Sequence, residues 1–122
     1  KASDCISTFT IEQFKLDTIP SEKMSLESGF IFGCDICQDV CPWNQRVDRS
    51  SNVKDLKFEN ENQIKILNFF LRKKTTQLAQ SLQGLSEGAF KRFFLNSSFE
   101  RSGKRGLYKN LVFYLKELKI FT

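Results

Sequence analysis

Residues 33–44 read GCDICQDVCPWN, and three of the chain's four cysteines fall inside them, spaced by two and then three residues with a proline after the last. Thiols at that spacing suit a metal centre. Thiolates hold both iron and zinc, and proteins with two iron–sulfur clusters use a run C-x₂-C-x₂-C-x₃-C-P whose fourth cysteine ligates the other cluster. Cys34, Cys37 and Cys41, with Pro42 behind, occupy the last three positions of that run. Its first position falls on Ile31, so one more ligand has to come from elsewhere, and Cys5 is the remaining cysteine. The candidate metal ligands are therefore Cys5, Cys34, Cys37 and Cys41. If the metal is iron–sulfur, Cys5, Cys34 and Cys37 share one cluster and Cys41 reaches across to a second. Four thiolates also suit a closed tetrahedral zinc site, which usually pairs two CxxC-like knuckles. The C-x₃-C-P ending favours iron–sulfur and leaves zinc as the rival.

Four cysteines can also form two disulfides in a secreted domain, but here Lys1-Ala2-Ser3-Asp4 runs straight into Cys5 with no apolar leader. That start looks like a cut through a longer protein, and the CxxC cluster argues for a reducing, cytoplasmic setting. No apolar run approaches the roughly 18 residues that a spanning helix needs, so a soluble protein is expected. Histidine is absent, which excludes a Cys-His or Ser-His catalytic pair within this chain. The net charge of +5 is concentrated in one place: Lys91, Arg92, Arg101, Lys104, Arg105 and Lys109 are opposed between them only by Glu100, and the remainder is balanced. A local basic patch neutralises backbone phosphates. Arg101, Lys104, Arg105 and Lys109 fall on a loop predicted over 97–106 and the first helical turn after it, where free backbone N–H groups add to phosphate binding. A solvated charged face is the alternative.

A chain of 122 residues suits one domain or two small units. Residues 4–11 (DCISTFTI), rich in β-branched and aromatic side chains, predict a short extended segment or turn leading from Cys5. Residues 16–29 read as a connection with one helical turn over 20–24. Phe30, Ile31 and Phe32 can cover one side of a metal centre, and Gly33 permits a close backbone approach or an unusual φ before Cys34. Beyond a polar linker over 46–59 the pattern is helical. Over 60–73, Asn60 caps the helix with Gln63 as capping-box partner, Ile64, Leu67 and Leu71 face inward, and Phe70 widens that face. Leu78 and Leu82 mark a second helix, with Gly84 as its terminal cap. Ser86 caps a third, which carries Phe90, Phe93 and Phe94. Leu107, Leu111, Tyr114, Leu115 and Leu118 mark one face of the last. The phenylalanines are read as core, and the whole as a small bundle or helical-repeat pair.

Three stretches together resemble one family: CISTFTIE over 5–12, GCDICQDVCPWN over 33–44, and FKRFF with FERSGKRGLYKN within 90–110. They are similar to the C-terminal part of the epoxyqueuosine reductases, cobalamin-dependent iron–sulfur enzymes of queuosine biosynthesis. A generic ferredoxin would not combine CISxxTIE, a tryptophan and asparagine after the CP, and a downstream R-x-x-[KR]-R-G-L-x-[KR]-N. The likeness covers most of the chain, weakly over 45–83. It implies a mainly α chain: a partial ferredoxin-like iron–sulfur module over 1–45, the linker over 46–59, and a small HEAT-like helical domain over 60–122 that docks the anticodon arm of tRNA. It also implies reduction of epoxyqueuosine to queuosine at the tRNA wobble position, with electrons from an external donor passing through two 4Fe-4S clusters to cobalamin.

Carried over residue by residue, Cys5, Cys34 and Cys37 ligate the cluster nearer the corrin and Cys41 completes the more distant one. Ser7, Cys34 and Asp35 lie near the corrin, and Arg101, Lys104, Arg105 and Lys109 meet tRNA. The resemblance further implies a cytoplasmic monomer with no membrane partner. The family's cobalamin domain, its proton-donating aspartate and its first cysteine run have no counterpart in these residues, so the chain alone is not expected to reduce epoxyqueuosine. Two rivals remain: a ferredoxin-like electron-transfer module of another reductase, docking an acidic protein, and a zinc-stabilised nucleic-acid-binding domain without redox role.

Overall fold

The computed structural model describes residues 1–22, 29–47 and 60–117. Among them regular structure is helical, with no strand. A 3₁₀ turn over Ala2–Asp4 and a π-helical turn over Thr8–Glu12 open the chain, followed by α1 (Ile36–Asp39), α2 (Pro42–Val47), α3 (Glu61–Leu71), α4 (Thr75–Gly84), α5 (Glu87–Phe93) and α6 (Phe99–Glu117). Beyond its first two residues the linker predicted over 46–59 lies outside the described residues, as do Leu118 and the end of the turn predicted over 20–24. Pro20 to Glu22 themselves are not helical. No described helix is long and apolar enough to cross a membrane.

The main core forms where α4, α5 and α6 meet. Leu78, Ala79, Leu82, Phe90, Phe94, Leu107, Leu111 and Leu115 are buried together with Ile66 of α3. The phase of α3 differs from the expected one. Ile66 is buried and Phe69 and Phe70 pack on the core, whereas Ile64, Leu67 and Leu71 are 42%, 37% and 73% exposed. Both sets keep helical spacing, so the sequence offers two stripes. The set with two aromatic rings takes the interior, since each ring removes more apolar surface from water than an aliphatic side chain. Phe70 stacks on Phe99 at 4.8 Å, and Phe69 meets Phe93 and Phe94 at 5.3 and 5.6 Å.

Helix ends follow local chemistry. Asn60 caps α3 by accepting from the Asn62 N–H at 2.9 Å, without the expected Gln63 partnership. The reach-back of a glutamine appears on α4 instead, where the Lys74 N–H donates to Gln77 Oε1 at 3.0 Å. Ser86 caps α5 through the Ala89 N–H at 3.1 Å. Gly84 ends α4 without a left-handed turn; Leu85 follows in extended conformation and packs on the core, which draws the chain off the helix axis.

The loop expected over 97–106 is helical from Phe99 onward. Phe99 anchors it, packing against Phe32 at 4.5 Å and Phe70 at 4.8 Å. The helix breaks inside α6 at Gly103, where φ is 65° and ψ 179°. A Cβ there would meet nothing within 4 Å, so Gly103→Ala tests backbone strain alone. It is expected to lower stability by about 1–2 kcal/mol, read as a shift of the urea midpoint at unchanged slope.

The N-terminal segment lies on α6. Phe9, 1% exposed, sets its ring edge-on to Phe113 at 5.2 Å, and Ile6 and Phe9 form a second small core with Phe30, Cys34 and Phe113. Residues 4–11 are therefore helical turns rather than extended chain. Two threonine hydroxyls permit this by donating back along the chain, Thr8 to Ala2 O at 2.7 Å and Thr10 to Ile6 O at 3.0 Å. Such bonds satisfy a threonine hydroxyl within a helical turn and tend to bend the helix.

Candidate metal centre

Cys34 leaves the core through a turn that depends on a glycine. Ile31 and Phe32 pack against the main core while Phe30 packs against the small one, so the apolar triplet grips the protein on both sides. Gly33 then takes φ +69°, a region that side chains rarely adopt, and its N–H donates to Thr10 Oγ1 at 3.1 Å. Cys34 emerges half-buried against Ile6 and Phe9. On the facing segment Cys5 is exposed, its N–H held by Ala2 O at 3.1 Å. Backbone N–H groups of Ser7 and Thr8 reach the Cys5 thiol and hold its pKa below the ordinary range, the direction that favours a metal-binding thiolate. Ser7 is half-buried beside Ile6.

The second half of the motif is a tight corner. Asp35 O accepts from the Gln38 and Asp39 N–H groups at 2.8 and 2.9 Å, opening α1 and leaving Cys37 and Asp35 exposed. Pro42 is the first residue of α2, a position where its missing N–H leaves no bond unmade. Asn44 closes the corner over Cys41, donating to Gln38 O at 3.1 Å and to Gln38 Oε1 at 2.7 Å. Trp43 is 75% exposed.

Lys109, which the sequence marked for another role, and Asn110, to which it gave none, hold this site to the helices. Lys109, expected at a phosphate, is 2% exposed. It donates to Phe9 O and Gln13 O, each at 2.5 Å, with its ammonium 3.8 Å from the centre of the Phe9 ring. Burial pushes its pKa down to about 8. Lys109 is thereby removed from the cationic surface. Asn110 Nδ2 donates to Thr10 O at 2.7 Å and to Ile31 O at 2.8 Å. Reading α6 as one inward stripe missed both. Asn110 stands three residues after Leu107, on the stripe itself. Gly106, Lys109 and Phe113 form a second stripe, and it is on this one that Phe14 and Phe9 lie.

The other three basic residues stay at the start of α6. Arg101 makes a two-pronged ion pair with Glu12, Nε to Oε1 at 2.7 Å and Nη2 to Oε2 at 2.8 Å. The bonding lowers the Glu12 pKa and raises that of Arg101. Lys104 reaches Gln83 O at 3.4 Å, and exposed Arg105 lines a shallow cleft with it, Glu87 and Tyr108.

All four cysteines are free. Among the described residues no three cysteine or carboxylate side chains gather into a ready-made metal site. A cluster distributes its thiolates over separate irons. The donor set here, four thiols with no imidazole in the chain, has the softness that iron–sulfur takes, and it fits that group. Of the residues expected near a corrin, Ser7 and Cys34 are half-buried and Asp35 is exposed.

The 4Fe-4S double cluster binding domain matches residues 1–44. Among curated relatives, epoxyqueuosine reductase of Leadbetterella byssophila is 37% identical over 111 residues, which cover 91% of this chain and 31% of the relative. That of Cellulophaga algicola is 32% identical over 116 residues, again 91% of this chain and 31% of the relative. The Synechocystis protein of the same name is 43% identical over 54 residues, covering 44% of this chain and 18% of its own. The chain thus spans at most about a third of the relatives it matches. No solved structure matches it. With a double-cluster domain matched over residues 1–44 and likeness to a part of these proteins along 91% of its own length, the chain belongs to the epoxyqueuosine reductase family.

Proposed function

We propose that the chain is the cluster-bearing and tRNA-docking part of an enzyme that reduces epoxyqueuosine to queuosine at the wobble position of tRNA. The observation carrying this is that one chain has both the double-cluster match over 1–44 and the likeness to reductases over 91% of its length. When bound, the two 4Fe-4S clusters supply electron transfer from an external donor, and cobalamin supplies the reducing metal. Cys5, Cys34 and Cys37 hold the cluster nearer the corrin, Cys41 serves the other, and Ser7 and Asp35 meet the corrin edge beside Cys34. The helices from α3 onward act as a HEAT-like platform for the anticodon arm, and the protein works as a cytoplasmic monomer.

Arg101, Lys104 and Arg105 take tRNA phosphates. The break at Gly103 supports this role, since it sets Lys104 and Arg105 at the start of the renewed helix, the end that favours an anion. Lys104→Glu with Arg105→Glu is expected to weaken tRNA binding and to reduce the slope of log affinity against log salt by about two, one for each lost phosphate contact. Filter binding at several salt concentrations measures it. An unchanged slope would return the segment to a solvated charged face. Anaerobic loading with ferrous iron and sulfide, followed by iron and sulfide analysis, tests the cluster assignment against a zinc site.

A further inference from the structure

Cys5 and Cys34 are 29 positions apart, yet the residues beside them are joined by buried polar bonds. The Thr10 hydroxyl uses both of its functions, donating to Ile6 O at 3.0 Å and accepting from the Gly33 N–H at 3.1 Å. It thus links the residue after Cys5 to the residue before Cys34. The Asn110 amide repeats the link from α6, with one hydrogen for Thr10 O and the other for Ile31 O. Thr10 is 1% exposed and Asn110 is 2% exposed, so water cannot replace these partners and each lost bond carries a desolvation cost. The apolar contacts of Ile6, Phe9, Phe30 and Cys34 have no direction and would tolerate sliding. The hydrogen bonds fix register.

We infer that Thr10 and Asn110 are positioning residues that set the separation and orientation of Cys5 and Cys34, and so determine whether both thiols serve one cluster. This rests on the cluster reading above for its purpose but not for its geometry. Groups outside the ligand shell that orient ligands typically change metal affinity by about 10–100-fold when removed.

Two arms test it. In the chain carrying Cys37→Ser and Cys41→Ser, nitroxide labels on Cys5 and Cys34 report their separation by dipolar electron paramagnetic resonance. A narrow distance distribution is expected with Thr10 and Thr10→Ser, and a broadened one with Thr10→Val, while circular dichroism shows the helices intact. Should valine disturb folding, Thr10→Ala compared with Thr10→Ser isolates the hydroxyl, since both lack the methyl group. An equally narrow distribution without the hydroxyl overturns the inference. In the second arm, the chain with all its cysteines is loaded anaerobically with ferrous iron and sulfide. Thr10→Val is expected to release iron to a chelator roughly tenfold or more faster, and to add nothing in a Cys5→Ser background. Equal acceleration in that background would show general loosening and overturn the inference. If the unaltered chain takes up no iron, the cluster reading fails, and the label distances still decide the positioning role.

Discussion

Phe94→Ala is expected to lower stability by about 3–5 kcal/mol, against a total of roughly 5–15 kcal/mol for a domain. Phe94 is 0% exposed and its ring lies within 4.5–6.1 Å of those of Phe69, Phe70, Phe90, Phe93 and Phe99. These rings come from α3, α5 and α6, so a cavity at this point removes contacts from three helices and no single helix can shift to fill it. Equilibrium urea unfolding measures the loss. Leu95→Ala is the comparison: its neighbour in sequence is 52% exposed and its truncation stays within about 0.5 kcal/mol. Equal losses for the two would mean that α5 packs with a different face.

Lys109→Met has the second large effect, and its size depends on pH. Methionine removes both donors and strands Phe9 O and Gln13 O, at about 1–3 kcal/mol for the buried Phe9 carbonyl and less for the part-buried Gln13 one. Relief from burying an ammonium offsets part of this at neutral pH. The folded pKa is about 8 and the ordinary value 10.5, so between these values the unfolded chain binds more proton than the folded one. Stability of the unaltered protein therefore rises with pH through that window; the neutral amine still has two N–H groups for the two carbonyls. The contribution is complete above the ordinary pKa and is lost as pH falls through the folded one. Urea midpoints of the two proteins are expected to diverge from pH 8 towards pH 10. A constant difference would show that the carbonyls and the Phe9 ring hold the charged form without penalty.

Where one side chain decides a local structure, the sequence was readable. Ser86 and Asn60 cap the helices they were expected to cap, since each needs only its own oxygen and an N–H two or three residues on. Of the two uses expected of Gly33 before Cys34, close approach or an unusual φ, it takes the second, with φ +69°, and Leu78, Leu82, Phe90, Leu107, Leu111 and Leu115 are interior. What was not readable depends on competition between distant parts. The phase of α3 turns on which of two stripes finds aromatic partners on α5 and α6. Lys109 has the charge of a surface residue, and only the arrival of Phe9 and Gln13, about a hundred positions away, gives it an interior role. At the thiols, spacing alone identified Cys34, Cys37 and Cys41 as a group. The hydroxyl and amide that tie Cys34 to the Cys5 segment carry no spacing signature.

The bonds from α6 to the N-terminal turns also set a schedule. Lys109 and Asn110 reach carbonyls of Phe9 and Thr10 across 100 positions of chain. Synthesis runs from the N-terminus at about 5–20 residues per second, so Cys5 and its neighbours wait on the order of 5–20 s for the helix that seats them. Through that interval the early thiols belong to an unseated segment. Closing so long a loop also costs more chain entropy than forming the local contacts of α4 to α6, so the helices come first and the cysteine-bearing turns settle on them afterwards. A metal held by both segments would then be loaded only after α6 has formed.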